Sequence, residues 1–191
     1  MKILLLRHGE TVEGAQGIAL GSIGGTLSDK GKAQAKAMAD GIMRSDFRPD
    51  HIVTSDLNRA VDTAEIISRK MGNLSIEINN DVNERRGGER EGKKSDEIDW
   101  EEYEKQPFER RRHKGGESYE DVRVRVKKFL NNLEGEDFIL VTHSAFLRTL
   151  LSVFLEITIE ETSDVVEGID FREKTLVLDT ETKKMETIDL K

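Results

Sequence analysis

Ile3-Leu4-Leu5-Leu6-Arg7-His8-Gly9-Glu10-Thr11 lies near the start of the chain and decides how the rest is read. Four apolar residues in a row are too few for a helix and show no alternation. That is the pattern of a strand buried on both faces, as in a parallel sheet covered by helices. The apolar run stops at Arg7-His8. Gly14, Gly17, Gly21, Gly24 and Gly25 follow, which is the composition of a loop.

Outward from this strand, strand and helix patterns alternate. Ser28 stands where an N-cap is needed, before a helix with Ala35, Met38, Ala39 and Ile42 on one face. Ile52-Val53 reads as a short strand, and Leu57, Ala60, Val61, Ala64 and Ile67 mark a second helix. Leu74 to Ile78 alternates like a half-buried strand. Ser118 and Asp121 form a capping-box pattern ahead of Val122, Val126, Phe129, Leu130 and Leu133. Phe138 to Val141 is another buried strand and Ala145 to Leu155 another helix. Leu176–Leu178 and Thr187–Leu190, separated by a polar DTETKKME, suggest a terminal hairpin. The expectation is an α/β fold: a three-layer α/β/α sandwich with a mostly parallel central sheet. One domain spans 1–191, with a charged, lid-like insertion at about 82–116.

Composition narrows the function classes. The 191 residues carry 30 Lys+Arg against 38 Asp+Glu, a net charge of −8, and no Cys. Disulfides, thiolate catalysis and Cys-based metal sites are excluded. No apolar run approaches the roughly 18 residues of a membrane span, and the opening apolar stretch is too short for a signal peptide. A soluble cytoplasmic protein is expected, with no nucleic-acid or membrane partner. The sequence leaves the oligomeric state open.

In open α/β sheets ligands bind beyond the carboxyl ends of the strands. Arg7-His8 ends the first strand, Thr54-Ser55 the second with Arg59 just after it, and Thr142-His143 the strand at 138–141. A lone His after a strand is ordinarily a satisfied turn residue; its recurrence at two buried strands points to one shared site. His8, His143 and a carboxylate could ligate zinc. Neighbouring Arg side chains instead repel a cation and attract an anion, and the guanidinium fork suits phosphate oxygens. A neutral His8 can attack phosphorus in line, while the Arg pair neutralises the non-bridging oxygens.

Arg7-His8-Gly9-Glu10-Thr11 resembles the signature of the histidine phosphatase superfamily, the phosphoglycerate mutase-like proteins. The resemblance extends over about 150 residues in order. It takes in Leu27-Ser28 with Gly31, Gln34 and Ala35, and Ser55-Asp56-Leu57-Asn58-Arg59-Ala60 with Thr63-Ala64-Glu65. Val82-Asn83-Glu84 with Gly88 and Glu91-Gly92, Gly116 to Val122, and Val141-Thr142-His143-Ser144 complete it. It implies a phosphoglycerate mutase-like fold and a metal-independent enzyme without a cofactor. His8 would be the phosphorylated nucleophile. Arg7, Arg59 and His143 would hold the phosphoryl group, and Glu84 would serve as general acid and then base. Without that spacing, Glu84 would read as one more solvated carboxylate.

The substrate implied is a small phosphorylated metabolite or sugar, with Gly21, Tyr119, Ser144, Arg110 and Arg111 as further candidate contacts. Residues 84–94 hold five Lys/Arg against three Glu, and 105–114 five against one. Such stretches could draw an anion to the pocket, or be a solvated loop balanced by Glu101, Glu102 and Glu104. The acid excess then falls along 96–104 and 156–173. Asn83-Glu84-Arg85 resembles cofactor-dependent phosphoglycerate mutases; Gly116 to Asp121 is closer to the phosphatase branches, and a short lid that admits water favours hydrolysis. Glu13-Gly14 stands where the family often has Trp-Asn, and Ile18 and Leu20 where it has Arg and Gln. A backbone amide or Gln16 is the expected substitute for the missing Asn donor. The alternative of another class is a non-catalytic module that binds a phosphorylated ligand.

Overall fold

The computed structural model describes residues 1–191. Six strands form one sheet in the order β3-β2-β4-β1-β5-β6. β1 (Lys2–Arg7), β2 (His51–Thr54), β3 (Ser75–Ile78) and β4 (Phe138–Thr142) are parallel. β5 (Lys174–Asp179) runs antiparallel to β1, and β6 (Lys184–Asp189) antiparallel to β5. The helices are α1 (Val12–Ala15), α2 (Asp29–Arg44), α3 (Asn58–Lys70), α4 (Trp100–Glu104), α5 (Tyr119–Asn131), α6 (Ser144–Leu155) and α7 (Thr162–Val165). None is long and apolar enough to cross a membrane.

The run at 3–6 works as a two-faced strand. Ile3 and Leu5 join a core cluster with Val122, Val126 and Phe129 of α5 and Phe146, Leu150 and Phe154 of α6. Leu4 and Leu6 turn the other way, onto Met38, Ala39 and Ile42 of α2 and Ala60, Ala64 and Ile67 of α3. Alternation of Cβ direction puts one strand in two cores and makes the three layers. Caps set the helix starts: Ser28 accepts the Gly31 amide, and Ser118 with Asp121 forms the reciprocal capping box.

Three expectations need correction. β3 starts at Ser75 and is mostly exposed rather than half-buried, because it is an edge strand paired only with β2. Val82 is fully buried in the main core, so it does not belong with the charged stretch that follows it. In the terminal hairpin the polar DTETKKME is not all turn: only 180–183 connect the strands, and Lys184 to Glu186 already pair in β6. An edge strand with one solvent face accepts those polar residues.

The stretch after Val82 is built from 3₁₀ turns and α4. It is tied by an aromatic group in which Tyr103 stacks on His113 with centroids 4.7 Å apart and Trp100 meets both edge-on. Among the glycines, Gly9 and Gly31 have a steric reason. A Cβ on Gly9 would collide with the Gly31 carbonyl, and one on Gly31 with that of Glu10. The loop after β1 lies directly on the first turn of α2.

Candidate active site

The parallel strands β1, β2 and β4 end side by side, in the spatial order β2-β4-β1. That brings His8, Ser55 with Arg59, and His143 to one edge, as the sequence placed them. His8 is 8% exposed and His143 fully buried, with ring centroids 5.1 Å apart.

The tautomer of His8 is set from both sides. Its Nδ1 lies 2.7 Å from the Gly9 carbonyl, which only accepts, so Nδ1 carries the proton. Arg59 Nε donates to Nε2 at 3.2 Å, so Nε2 holds the lone pair. Burial first and then the Arg59 guanidinium push the His8 pKa well below 6.5; the Gly9 carbonyl pulls it up by less than either, and Arg7 and Arg172 add smaller downward pushes. At neutral pH His8 is an uncharged imidazole with a nucleophilic nitrogen.

Arg59, 2% exposed, reaches back from the first turn of α3. Its Nη atoms donate to the carbonyls of Gly21 (2.6 Å) and Ile23 (2.7 Å), so all three edges of the fork are engaged. Gly21 therefore orients Arg59 through its carbonyl. It has φ +55°, and a Cβ there would meet Glu91 and Gly87. Arg7 is half-buried, and its Nε has no hydrogen-bond partner. Glu84 accepts from the amides of Arg85 (2.8 Å) and Ala145 (3.1 Å), which places its carboxylate at the N-terminus of α6.

Sequence reading missed several residues. Arg172 Nε donates to the His8 carbonyl at 3.0 Å, and the Phe171 carbonyl accepts the Arg7 amide at 3.0 Å. The β1–β5 ladder pairs only as far as Leu4 with Val177, and beyond it the Thr175 hydroxyl bonds the Leu5 carbonyl. At His8 an arginine side chain does what a strand would otherwise do. Phe171 adopts φ +59° there, a left-handed conformation that costs a bulky residue roughly 1–3 kcal/mol. The Gly9 amide, at the other end of the same peptide plane, donates to Thr63 Oγ1 (3.1 Å). Arg125 of α5 donates to the Asp81 and Asn83 carbonyls and pairs with Glu117, so it pins the segment that carries Glu84. Asn83 in turn bonds Asp56. No motif marked Arg172 or Arg125. Arg172 sits in a stretch the sequence assigned to the acid excess, and Arg125 on a helix read only for its apolar face.

The other candidates are distributed differently. Tyr119 is buried under the Arg85 guanidinium, 4.5 Å from its ring centroid, and stacks on Phe108. Arg85, 7% exposed, lies next to Glu84 and forms no ion pair; it bonds the Tyr103 hydroxyl and the Arg111 carbonyl. Ser144 is the first residue of α6. Arg110 and Arg111 do not join the His8 cluster. Arg110 pairs with Glu120 of α5, and Arg111 donates to the Gln106 and Glu104 carbonyls. Near the position of the missing Asn, the Gly14 amide caps onto Thr11 Oγ1, and Gln16 is exposed. No group of three His, Asp or Glu side chains converges anywhere to hold a metal ion.

Fold and site together define an α/β protein with a cationic, histidine-bearing cluster at the carboxyl edge of its parallel strands. The model of the histidine phosphatase superfamily (branch 1) matches residues 3–167, and the chain belongs to that family. It is 31% identical over 161 residues to phosphoglycerate mutase-like protein 4 of Arabidopsis thaliana, spanning 78% of this chain and 69% of that protein. It is 33% identical over 172 residues to a metal-independent phosphoserine phosphatase of the same plant, spanning 82% and 68%. The crystal structure of the alpha-ribazole phosphatase from Shigella flexneri shares the fold at a TM-score of 0.82, with 22% identity over 99% of this chain and 96% of that one.

Proposed function

We propose that this protein is a metal-independent phosphatase that hydrolyses small phosphate monoesters, such as phosphorylated metabolites or sugars, through a phosphohistidine. The observation that carries the reading is a neutral His8 with its lone pair on Nε2, set among arginines that form no ion pair. His8 Nε2 attacks phosphorus as the ester P–O bond breaks, and Glu84 gives a proton to the leaving oxygen. Water then attacks the phosphorus, Glu84 takes its proton, the P–N bond breaks and phosphate departs. Arg7, Arg59 and His143 hold the phosphoryl oxygens throughout, where preorganised donors act most strongly on developing charge. When the substrate arrives, the bond from Arg59 Nε to His8 Nε2 passes to a phosphoryl oxygen and frees the lone pair.

The stretch that follows Glu84 acts as a short lid over the leaving group, with Tyr119 and Arg85 beside it. Purified protein is expected to hydrolyse p-nitrophenyl phosphate in excess EDTA, and His8→Ala to fall to background. Loss of activity on chelation, or full activity in His8→Ala, rejects the mechanism. A protein that binds phosphate and never turns over is the non-catalytic module instead. The buried Arg85 next to Glu84 favours a second reading, a cofactor-dependent phosphoglycerate mutase. Interconversion of 2- and 3-phosphoglycerate faster than phosphate release would select it.

A further inference from the structure

His143 poses a hydrogen-bonding problem that its role as a phosphoryl holder does not resolve. It occupies the N-cap position of α6 in an extended conformation, φ −133° and ψ 164°, yet its side chain caps nothing. The ring is fully buried. Nε2 lies 2.7 Å from Ser55 Oγ, and Nδ1 has no partner. A buried polar atom without a partner is rare and asks for an explanation. Burial, together with His8, Arg59, Arg7 and Arg125, holds the imidazole pKa well below 6.5, so the ring has one N–H and one lone pair.

Ser55 decides which nitrogen carries the proton. It too is fully buried, and its hydroxyl has two neighbours within hydrogen-bonding reach: the Leu57 amide at 3.3 Å and His143 Nε2. The amide can only donate, which leaves His143 Nε2 as the one acceptor for the hydroxyl proton. Were Nε2 protonated instead, Ser55 Oγ would receive two donors and its own hydrogen would have none to bond.

We propose that Ser55 is a positioning residue: its hydroxyl donates to His143 Nε2 and so places the single imidazole proton on Nδ1, as the donor for a phosphoryl oxygen. This rests on the phosphoryl-pocket reading above. Both histidines then carry hydrogen on Nδ1 for opposite reasons. The Gly9 carbonyl draws it there in His8 and leaves Nε2 as nucleophile, while the Ser55 hydroxyl occupies Nε2 of His143 and leaves Nδ1 as donor. The turn at Ser55-Leu57 also leads directly into α3 and Arg59, so one turn positions two of the groups that hold the phosphoryl.

The test is the ¹⁵N spectrum of histidine-labelled protein, with His143 assigned by its loss in His143→Gln, alongside titration with inorganic phosphate. Wild type is expected to show neutral His143 protonated on Nδ1. Ser55→Ala is expected to populate the Nε2–H form and weaken phosphate binding about tenfold or more, the range of a hydrogen bond to a charged group. A wild-type ring protonated on Nε2 overturns the proposal, and needs no variant to be seen. So does a Ser55→Ala protein that keeps the wild-type tautomer, whether or not its phosphate affinity falls. Neither readout needs turnover: failure to hydrolyse p-nitrophenyl phosphate rejects the phosphatase reading, while the histidine spectrum still decides this one.

Discussion

The arginines at the carboxyl edge of the sheet and those around residues 105–125 live in opposite surroundings. Arg110, Arg112 and Arg123 each meet a carboxylate, on Glu120, Asp121 and Glu109. Arg7, Arg59 and Arg172 form no ion pair; they touch a carbonyl, an imidazole or nothing. The more conspicuous cluster in the sequence, Arg110-Arg111-Arg112, is locally neutralised or bonded to backbone. The scattered one is buried or half-buried and makes no direct ion pair. An anion is attracted by the second kind, because a cation already paired has little field left to offer. Density of charge along the chain is thus a poor guide to where a phosphate goes.

The contrast between the two groups of arginines can be measured. The largest effect after loss of His8 is expected at Arg59→Ala, about 10²–10³-fold in kcat for p-nitrophenyl phosphate, the usual cost of one preorganised donor on a developing oxyanion. A drop no larger than that of Arg110→Ala would erase the distinction. Arg172→Ala should lower unfolding stability by about 1.5–3 kcal/mol, through loss of a charged bond to the His8 carbonyl, and reduce kcat with it. An unchanged denaturation midpoint would show that the clamp on His8 is idle.

The pocket also predicts a pH signature. Folded His8 and His143 titrate well below 6.5, by burial first and then mainly by neighbouring cationic or imidazole groups, whereas unfolded histidine titrates near 6.5. Between those values the unfolded chain binds more protons. Stability should therefore be lost as pH falls below about 6.5, and level off above it. Urea unfolding across that window checks the sign, and phosphate should raise the midpoint at each pH, since it binds only the folded pocket. The smallest effects are expected at Arg110→Ala and Arg112→Ala: under about 1 kcal/mol of stability, as for exposed ion pairs, and no change in phosphate affinity. A large loss of phosphate binding in either would place the insertion's arginines in the pocket after all.

Much of this was legible beforehand because it depends on near neighbours in sequence. The run Ile3–Leu6 reports burial on both faces, Ser28 and Ser118 report helix starts, and Arg7-His8, Arg59 and Thr142-His143 report strand ends. Parallel pairing then carries those strand ends to one edge. Val82 carries no such signal: a single apolar residue in a charged stretch has no period to betray it, though the core takes it fully. The polar residues of β6 look like turn in the sequence because an edge strand lacks the apolar signal that burial imposes.

What the sequence determined by itself was the alternation of elements, the chemistry available at the strand ends and the exclusion of thiol catalysis. Which charges stay unpaired and which histidine nitrogen keeps its proton depend instead on the folded chain. Arg172 reaches His8 across 164 positions and Ser55 reaches His143 across 88. Local periodicity is set by the geometry of one strand or one helix. Ion pairing and tautomer choice depend on which atoms lie within about 3 Å, and only the folded chain brings those together.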